Sequence, residues 1–274
     1  MLIDRIRTES PQMSVEPLDR PSSMNRLPTL IFALAVILFA APGSSQTITS
    51  AETTTPTPTT AQIIEQMQRH DQRQASTLQS YHGLRHYSVV YRGFARTITA
   101  NMDVEVSYDA ASGKTFRITS QQGSGMLREK VLQRALDSER EASLNKSSTA
   151  LNSTNYKFQF VGTDRVGDRQ AYILAVEPIS PNKYLYKGKI WVDAAEFAVA
   201  KMEVQPAKNP SFWISRTLIH HTNQMTNGIW LPVQNRSETK VRIGGTATMS
   251  IDYQSYQITA QPDSSTTAPA AGTR

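Results

Sequence analysis

The chain has 274 residues, a net charge of +6 and no cysteine. It therefore has no disulfide, thiol nucleophile or thiolate metal site, and no cysteine to be lipidated at a cleavage point. Its mild positive charge contains no Lys/Arg cluster of five or more, which excludes the one-sided basic footprint of a nucleic-acid binder.

In chain order, Arg26 precedes an apolar run from Leu30 to Ala41, which ends in the small residues Gly43-Ser44-Ser45. This pattern predicts a signal peptide over residues 1–45, cleaved near Ser45/Gln46, with Met24 as an alternative start. The run is shorter than the roughly 20 apolar residues a membrane span needs, so no integral span is expected in the mature chain. Residues 46–60 are rich in Thr, Ser and Pro and read as a solvated linker, and 261–274 as a loose tail. The domain proper is expected over 61–260.

Ile64, Met67, Ala75 and Leu78 fall at helical spacing and predict a helix from 61 to about 79, ended by His82-Gly83. The pattern then switches to period two and predicts strands over 84–97, 100–109 and 114–122. Leu127, Val131, Leu132, Ala135 and Leu136 mark a second helix over 126–144. Seven more strands are expected: 156–165, 169–178, 184–193, 197–205, 212–225, 229–243 and 246–258. Turn dipeptides such as Gly167-Asp168 and Asn227-Gly228 join them as antiparallel hairpins. The fold class is mainly β with two helices, one broad meandering sheet that is expected to curl, with the helices inside the curl or across its mouth.

Chemistry is sparse. His220 and His221 are adjacent on a strand and point to opposite faces, so they cannot share a metal without distortion. G-x-S-x-G, P-loop and dinucleotide fingerprints are absent. Asp193 and Glu196 sit at an expected hairpin turn, where they should face water. No enzyme activity, metal or cofactor is expected. The dense feature is aromatic: Tyr184, Tyr186, Trp191, Phe197, Phe212, Trp213 and Trp230 fall within 47 residues. A broad sheet with that content and only two covering helices suggests an apolar cavity, hence a binding protein.

The stretches 183–193, Phe197-Ala198-Val199, 206–214 and Gly228-Ile229-Trp230-Leu231-Pro232 resemble the bacterial outer-membrane lipoprotein-sorting group. That group is related to the periplasmic lipoprotein carrier (LolA-like) and to the lipoprotein-sensing domain of a periplasmic stress regulator. The resemblance spans about residues 61 to 258. It implies a periplasmic protein with a strongly curved, unclosed antiparallel half-barrel whose helices plug a concavity that accepts acyl chains. The carrier's lid-locking arginine belongs to its early strands, where Arg85, Arg92 and Arg96 stand here.

The expectation is a periplasmic carrier that buries acyl chains of lipoproteins or lipids, served by inner- and outer-membrane lipoprotein transfer components. Met67, Leu78, Leu127, Val131 and Leu136 would form the lid, and Tyr186, Trp191, Phe212, Trp213 and Trp230 would contribute to the cavity. Two alternatives stand beside it: a sensor of mislocalised lipoprotein that signals through a protein partner, and an envelope protein with a filled core.

Overall fold

The computed structural model of the protein describes residues 57–182, 184–209, 211–212, 214–242 and 244–261. The expected signal peptide 1–45, linker residues 46–56, tail residues 262–274 and Trp213 lie outside them.

Helix α1 spans Thr60–Thr77. Thr59 caps it reciprocally: its hydroxyl accepts from the Gln62 backbone N–H at 3.3 Å, and Gln62 Oε1 accepts from the Thr59 N–H at 2.8 Å. Such a capping box satisfies two of the free donors at a helix start. The buried stripe is Ile63, Met67 and His70, whereas Ala75 is exposed. A buried histidine within the stripe hid this phase from a purely apolar count. Leu78 has turned extended and opens β1, so it is a strand residue and not part of the helix.

The strands are β1 Leu78–Arg92, β2 Thr97–Asp109, β3 Gly113–Gly123, β4 Tyr156–Val166, β5 Arg169–Pro178, β6 Tyr186–Asp193, β7 Val199–Pro206, β8 Ile214–Thr226, β9 Ile229–Val241 and β10 Thr246–Ala260. All but β1 begin and end close to the expected ranges. In β1 a register shift between His82 and Leu84 breaks the alternation, which is why its first residues do not read as strand. Between β3 and β4 the chain forms α2 (Gly125–Leu127), a π-helical turn (Arg128–Gln133), α3 (Arg134–Leu144) and the short α4 (Lys146–Thr149). We call 125–144 the covering segment.

The ten strands form one antiparallel sheet in the order β3-β2-β1-β10-β9-β8-β7-β6-β5-β4. β1 pairs with both β2 and β10, so the first and last strands meet inside the sheet. Residues 125–149 then carry the chain from one edge, β3, to the other, β4.

The strongly curved half-barrel is not what the chain builds. The sheet is open and not strongly curled, with β3 and β4 as separate edges. Its apolar residues collect in three clusters rather than one concavity. Strand count alone suggested curling, yet open sheets of this breadth occur when their faces are covered piecewise. Here Ile63 and Met67 of α1 pack with Leu174, Val176, Ile190 and Val192 of β5 and β6. Leu127, Leu132 and Leu136 of the covering segment pack instead on β1, β2, β9 and β10. Each half buries its apolar face under its own helix, so wrapping is not required.

One glycine is dictated by close approach. Gly188, at φ 144°, pairs with Val204 so tightly that a Cβ would lie 2.4 Å from the Glu203 carbonyl oxygen.

Candidate functional site

Cross-strand partners share a face, so the pairings define a single row: Phe160, Leu174, Ile190, Met202, His221, Asn235, Ile251, Tyr87 and Met102. Both helical regions cover this face. The neighbouring row on the opposite face, Lys189, Glu203, His220, Arg236, Ser250, Ser88 and Asn101, is polar. The covered row is apolar at both ends and polar at His221 and Asn235. His221 Nε2 lies 2.9 Å from Asn223 Oδ1, and its Nδ1 lies 3.3 Å from Asn235 Nδ2. Burial pushes the His221 imidazole below its usual range, against the hydrogen bond to Asn223. A polar seam thus divides the two apolar halves.

Under the covering segment lies a buried cation. Arg85 is 4% exposed and extends from β1 in the same phase as Tyr81, Tyr87 and Val89. Its guanidinium donates to Glu139 of α3 at 2.5 and 3.2 Å, a two-pronged contact. It also lies 4.7 Å from the Tyr253 ring centroid and 5.6 Å from that of Phe116, within range of cation–π attraction. Lys114 of β3 reaches the same carboxylate at 3.1 Å. Burial alone would raise the Glu139 carboxyl, but Arg85 and Lys114 overcome it and hold Glu139 below the usual carboxylate range. Burial would likewise favour neutral Arg85, and Glu139 reverses that. The pair ties α3 to the sheet beside Leu132 and Leu136, which are both 0% exposed.

The second half is held differently. The Gln74 side chain accepts from the Trp230 N–H at 2.8 Å and donates to the Trp230 carbonyl at 3.1 Å, clamping α1 to β9. Asp193 does not face water: it is 1% exposed. It accepts from Arg169 at 2.5 and 2.8 Å and from the backbone of Ala195 and Glu196 at 3.0 and 2.8 Å. Those bonds build the β6–β7 turn, in which Phe197 takes φ 58°.

Of the expected ligand-contacting residues, Leu78, Leu127, Val131 and Leu136 meet in one cluster. Met67 belongs to the second cluster and Trp230 to the third. Tyr186 is half-buried on β6. Trp191 points away from Ile190: its indole donates to Asp164 at 2.9 Å, and Lys201 Nζ sits 4.3 Å from the ring centroid. Phe212 is 73% exposed and stacks under Arg242 at 4.9 Å. These residues do not line one cavity, because alternation sends adjacent strand residues to opposite faces and the loop aromatic lies outside the sheet. An open depression of about 680 Å³ lies over β4–β7, where Phe158, Val176 and Gly188 are mixed with Lys157 and Glu177.

Sequence reasoning missed Glu139, Lys114, Tyr253 and His221 as a group. One signal was available: Arg85 occupies an apolar phase of β1, where a charge needs a partner.

Among the described residues one cluster has the composition, but not the order, of a catalytic triad. His86, Asp103 and Ser120 form a hydrogen-bonded row at 2.6 and 2.5 Å, but the carboxylate is in the middle and the serine has no base beside it. Among the described residues no His/Asp/Glu group could hold a metal ion, and no helix is long and apolar enough to cross a membrane.

Comparison with known proteins adds family context. No curated protein matches the chain. A solved DUF1329 family protein from Desulfovibrio piger is 14% identical, with 72% of this chain and 92% of that one covered and a TM-score of 0.39. A LolA superfamily protein from Nitrosomonas europaea is 12% identical over 76% of this chain and 96% of its own, with a TM-score of 0.33. MucB in the MucA/MucB complex of Pseudomonas aeruginosa is 12% identical over 73% of this chain and 100% of that chain, with a TM-score of 0.25. At these scores the structural likenesses carry no argument of their own. The family match does: residues 72–209, half of the chain, match the MucB/RseB N-terminal domain. The chain belongs to the MucB/RseB N-terminal domain family, whose members are non-catalytic periplasmic proteins.

Proposed function

We propose that the protein binds the acyl chains of lipoproteins or lipids on the apolar sheet face beneath residues 125–144, and that this segment is a lid. The observation that carries the reading is the Arg85–Glu139 pair, a buried charge contact that fastens α3 to the sheet beside an otherwise apolar cluster. A fixed core gains little from such a contact, since burying both charges offsets much of their attraction. A cover that must lift benefits from a contact that water can take over once it opens.

The π-helical turn Arg128–Gln133 supports the reading. Such turns interrupt regular helical bonding and recur at functional sites, and this one lies in the middle of the cover. Each acyl methylene buried contributes about 0.8 kcal/mol, so one long chain can replace the contacts of Leu127, Leu132 and Leu136. The ligand displaces these leucines from the sheet, and they return on its release. On this reading the exported form begins near Gln46.

A second reading, a sensor that signals through a protein partner, is favoured by the family match itself. The same lid serves it, with lid position as the signal.

The test is titration of a fatty-acyl fluorophore and of a triacylated lipopeptide. Wild type should bind both, and Glu139→Gln should bind several-fold more tightly because the closed state is weakened. If neither protein binds either probe, the apolar face is a filled core and the proposal is wrong.

A further inference from the structure

The loops at one end of the sheet form a second surface, which the acyl-chain site does not use. Arg92 pairs with both Thr97 and Thr246, and Ile214 pairs with Val241. The β1–β2 turn, the β9–β10 turn and the β7–β8 loop therefore leave the sheet side by side. Phe94, in the β1–β2 turn, is 93% exposed, and Phe212, in the β7–β8 loop, is 73% exposed; they are the two most exposed large hydrophobic side chains among the described residues.

These rings stand on either side of the β9–β10 turn. Phe94 packs on Gly244, where a Cβ would come within 2.3 Å of the ring. Phe212 lies under the Arg242 guanidinium at 4.9 Å. The platform is firm: Gly93 N–H donates to the Arg96 carbonyl at 3.0 Å, and Tyr91 Oη donates to the Gly244 carbonyl at 2.7 Å. Arg92, Arg96 and Arg242 are all exposed around it. Residues 92–97, 207–216 and 240–246 contain no Asp or Glu, so the charges carried by these three loops are all positive.

We propose that this end docks the protein on an anionic phospholipid bilayer, with Phe94 and Phe212 entering the interfacial zone and Arg92, Arg96 and Arg242 engaging lipid phosphates. Aromatic rings favour that zone, since it is apolar on one side and wet on the other. Guanidinium groups pair with phosphate oxygens through two donors at once. Single exposed apolar residues are ordinary; two rings bridged by one turn, on loops that carry the exposed Arg92, Arg96 and Arg242 and no acid, match a bilayer surface in both shape and charge. The covering segment also leaves the sheet at this end, with Ser124 N–H donating to the Thr99 carbonyl at 2.8 Å.

The experiment is vesicle flotation of the protein recovered from the periplasmic fraction, using phosphatidylglycerol/phosphatidylethanolamine vesicles with phosphatidylcholine vesicles as the neutral comparison. Wild type should float with the anionic vesicles at least ten-fold more than with the neutral ones, and less as salt rises. Phe94→Ser/Phe212→Ser should lose most of that flotation while retaining the wild-type melting profile. Arg92→Gln/Arg96→Gln/Arg242→Gln should flatten the salt dependence, and Val161→Ser, an exposed apolar change on β4, should leave flotation unchanged. Wild type that ignores anionic vesicles at low salt overturns the proposal, as does a phenylalanine variant that floats like wild type. Self-association abolished by the phenylalanine changes, without vesicle binding, overturns it in favour of a second copy of the chain. The outcome is independent of the acyl-probe titration, so either proposal can fail alone.

Discussion

The two helical covers bury the same face of one sheet, but they are fastened by opposite means. Helix α1 is regular, capped at Thr59, and joined to β9 by a neutral amide clamp on the Trp230 backbone. The covering segment contains a π turn and is joined to β1 by a buried ion pair. The Gln74 clamp satisfies both polar groups of the Trp230 backbone, which would otherwise be left unpaired in the closed structure. An ion pair regains hydration on opening, so its net hold is small compared with its strength when closed. On the proposed reading, α1 is the fixed wall and 125–144 is the part that moves.

The largest expected effect comes from Leu136, which is wholly buried. Leu136→Ala should cost about 2–5 kcal/mol, and Leu136→Asp should release the cover altogether, read as fast amide exchange across 125–144 with α1 still protected. Equal loss of protection in both regions would remove the distinction between them.

Arg85→Ala comes next. It leaves Glu139 with Lys114 alone and should cost on the order of 3 kcal/mol in urea unfolding. Arg85→Ala/Glu139→Ala should cost clearly less than the sum of the single changes, since both charges then leave together. Additive costs would show that the pair does not act as a unit.

Gln74→Ala should cost roughly 1–2 kcal/mol, the loss of two buried backbone partners. Acyl-probe affinity should not change, because α1 is not the moving part. A gain in affinity would transfer the lid role to α1.

The smallest effect concerns pH. The His221 imidazole is depressed below its ordinary 6.5, so the unfolded chain takes up a proton first. Stability should be fully present above pH 6.5 and decline as pH falls through that value toward the folded pKa. Glu139 adds a second loss at lower pH: its depressed carboxyl contributes fully above 4.5 and the contribution disappears as pH falls through its folded value. In melting temperature against pH, His221→Gln should remove the first decline and keep the second.

The strands and most turns were legible because period-two patterns and dipeptides such as Asn227-Gly228 are local signals, whereas the β1–β10 pairing that sets the order within the sheet joins the two ends of the domain and has no local signal. The second apolar stripe was legible in the same way, and Leu127, Leu132 and Leu136 do face the sheet. Sheet shape was not, because it depends on which helix covers which strands, a long-range matter on which strand count is silent. Trp191 and Phe212 show the same limit: composition marked them, but a face or a loop position is set by register and chain path. The Arg85–Glu139 contact joins residues 54 apart in sequence, and nothing local to either announces the other.

The most direct measurement is hydrogen–deuterium exchange on the periplasmic form with and without a triacylated lipopeptide. Binding should raise exchange in 125–144, lower it on the β1–β2 strands beneath, and leave α1 unchanged. Ligand-bound protein whose covering segment stays fully protected would contradict the account, because acyl chains would then be held somewhere other than under the lid.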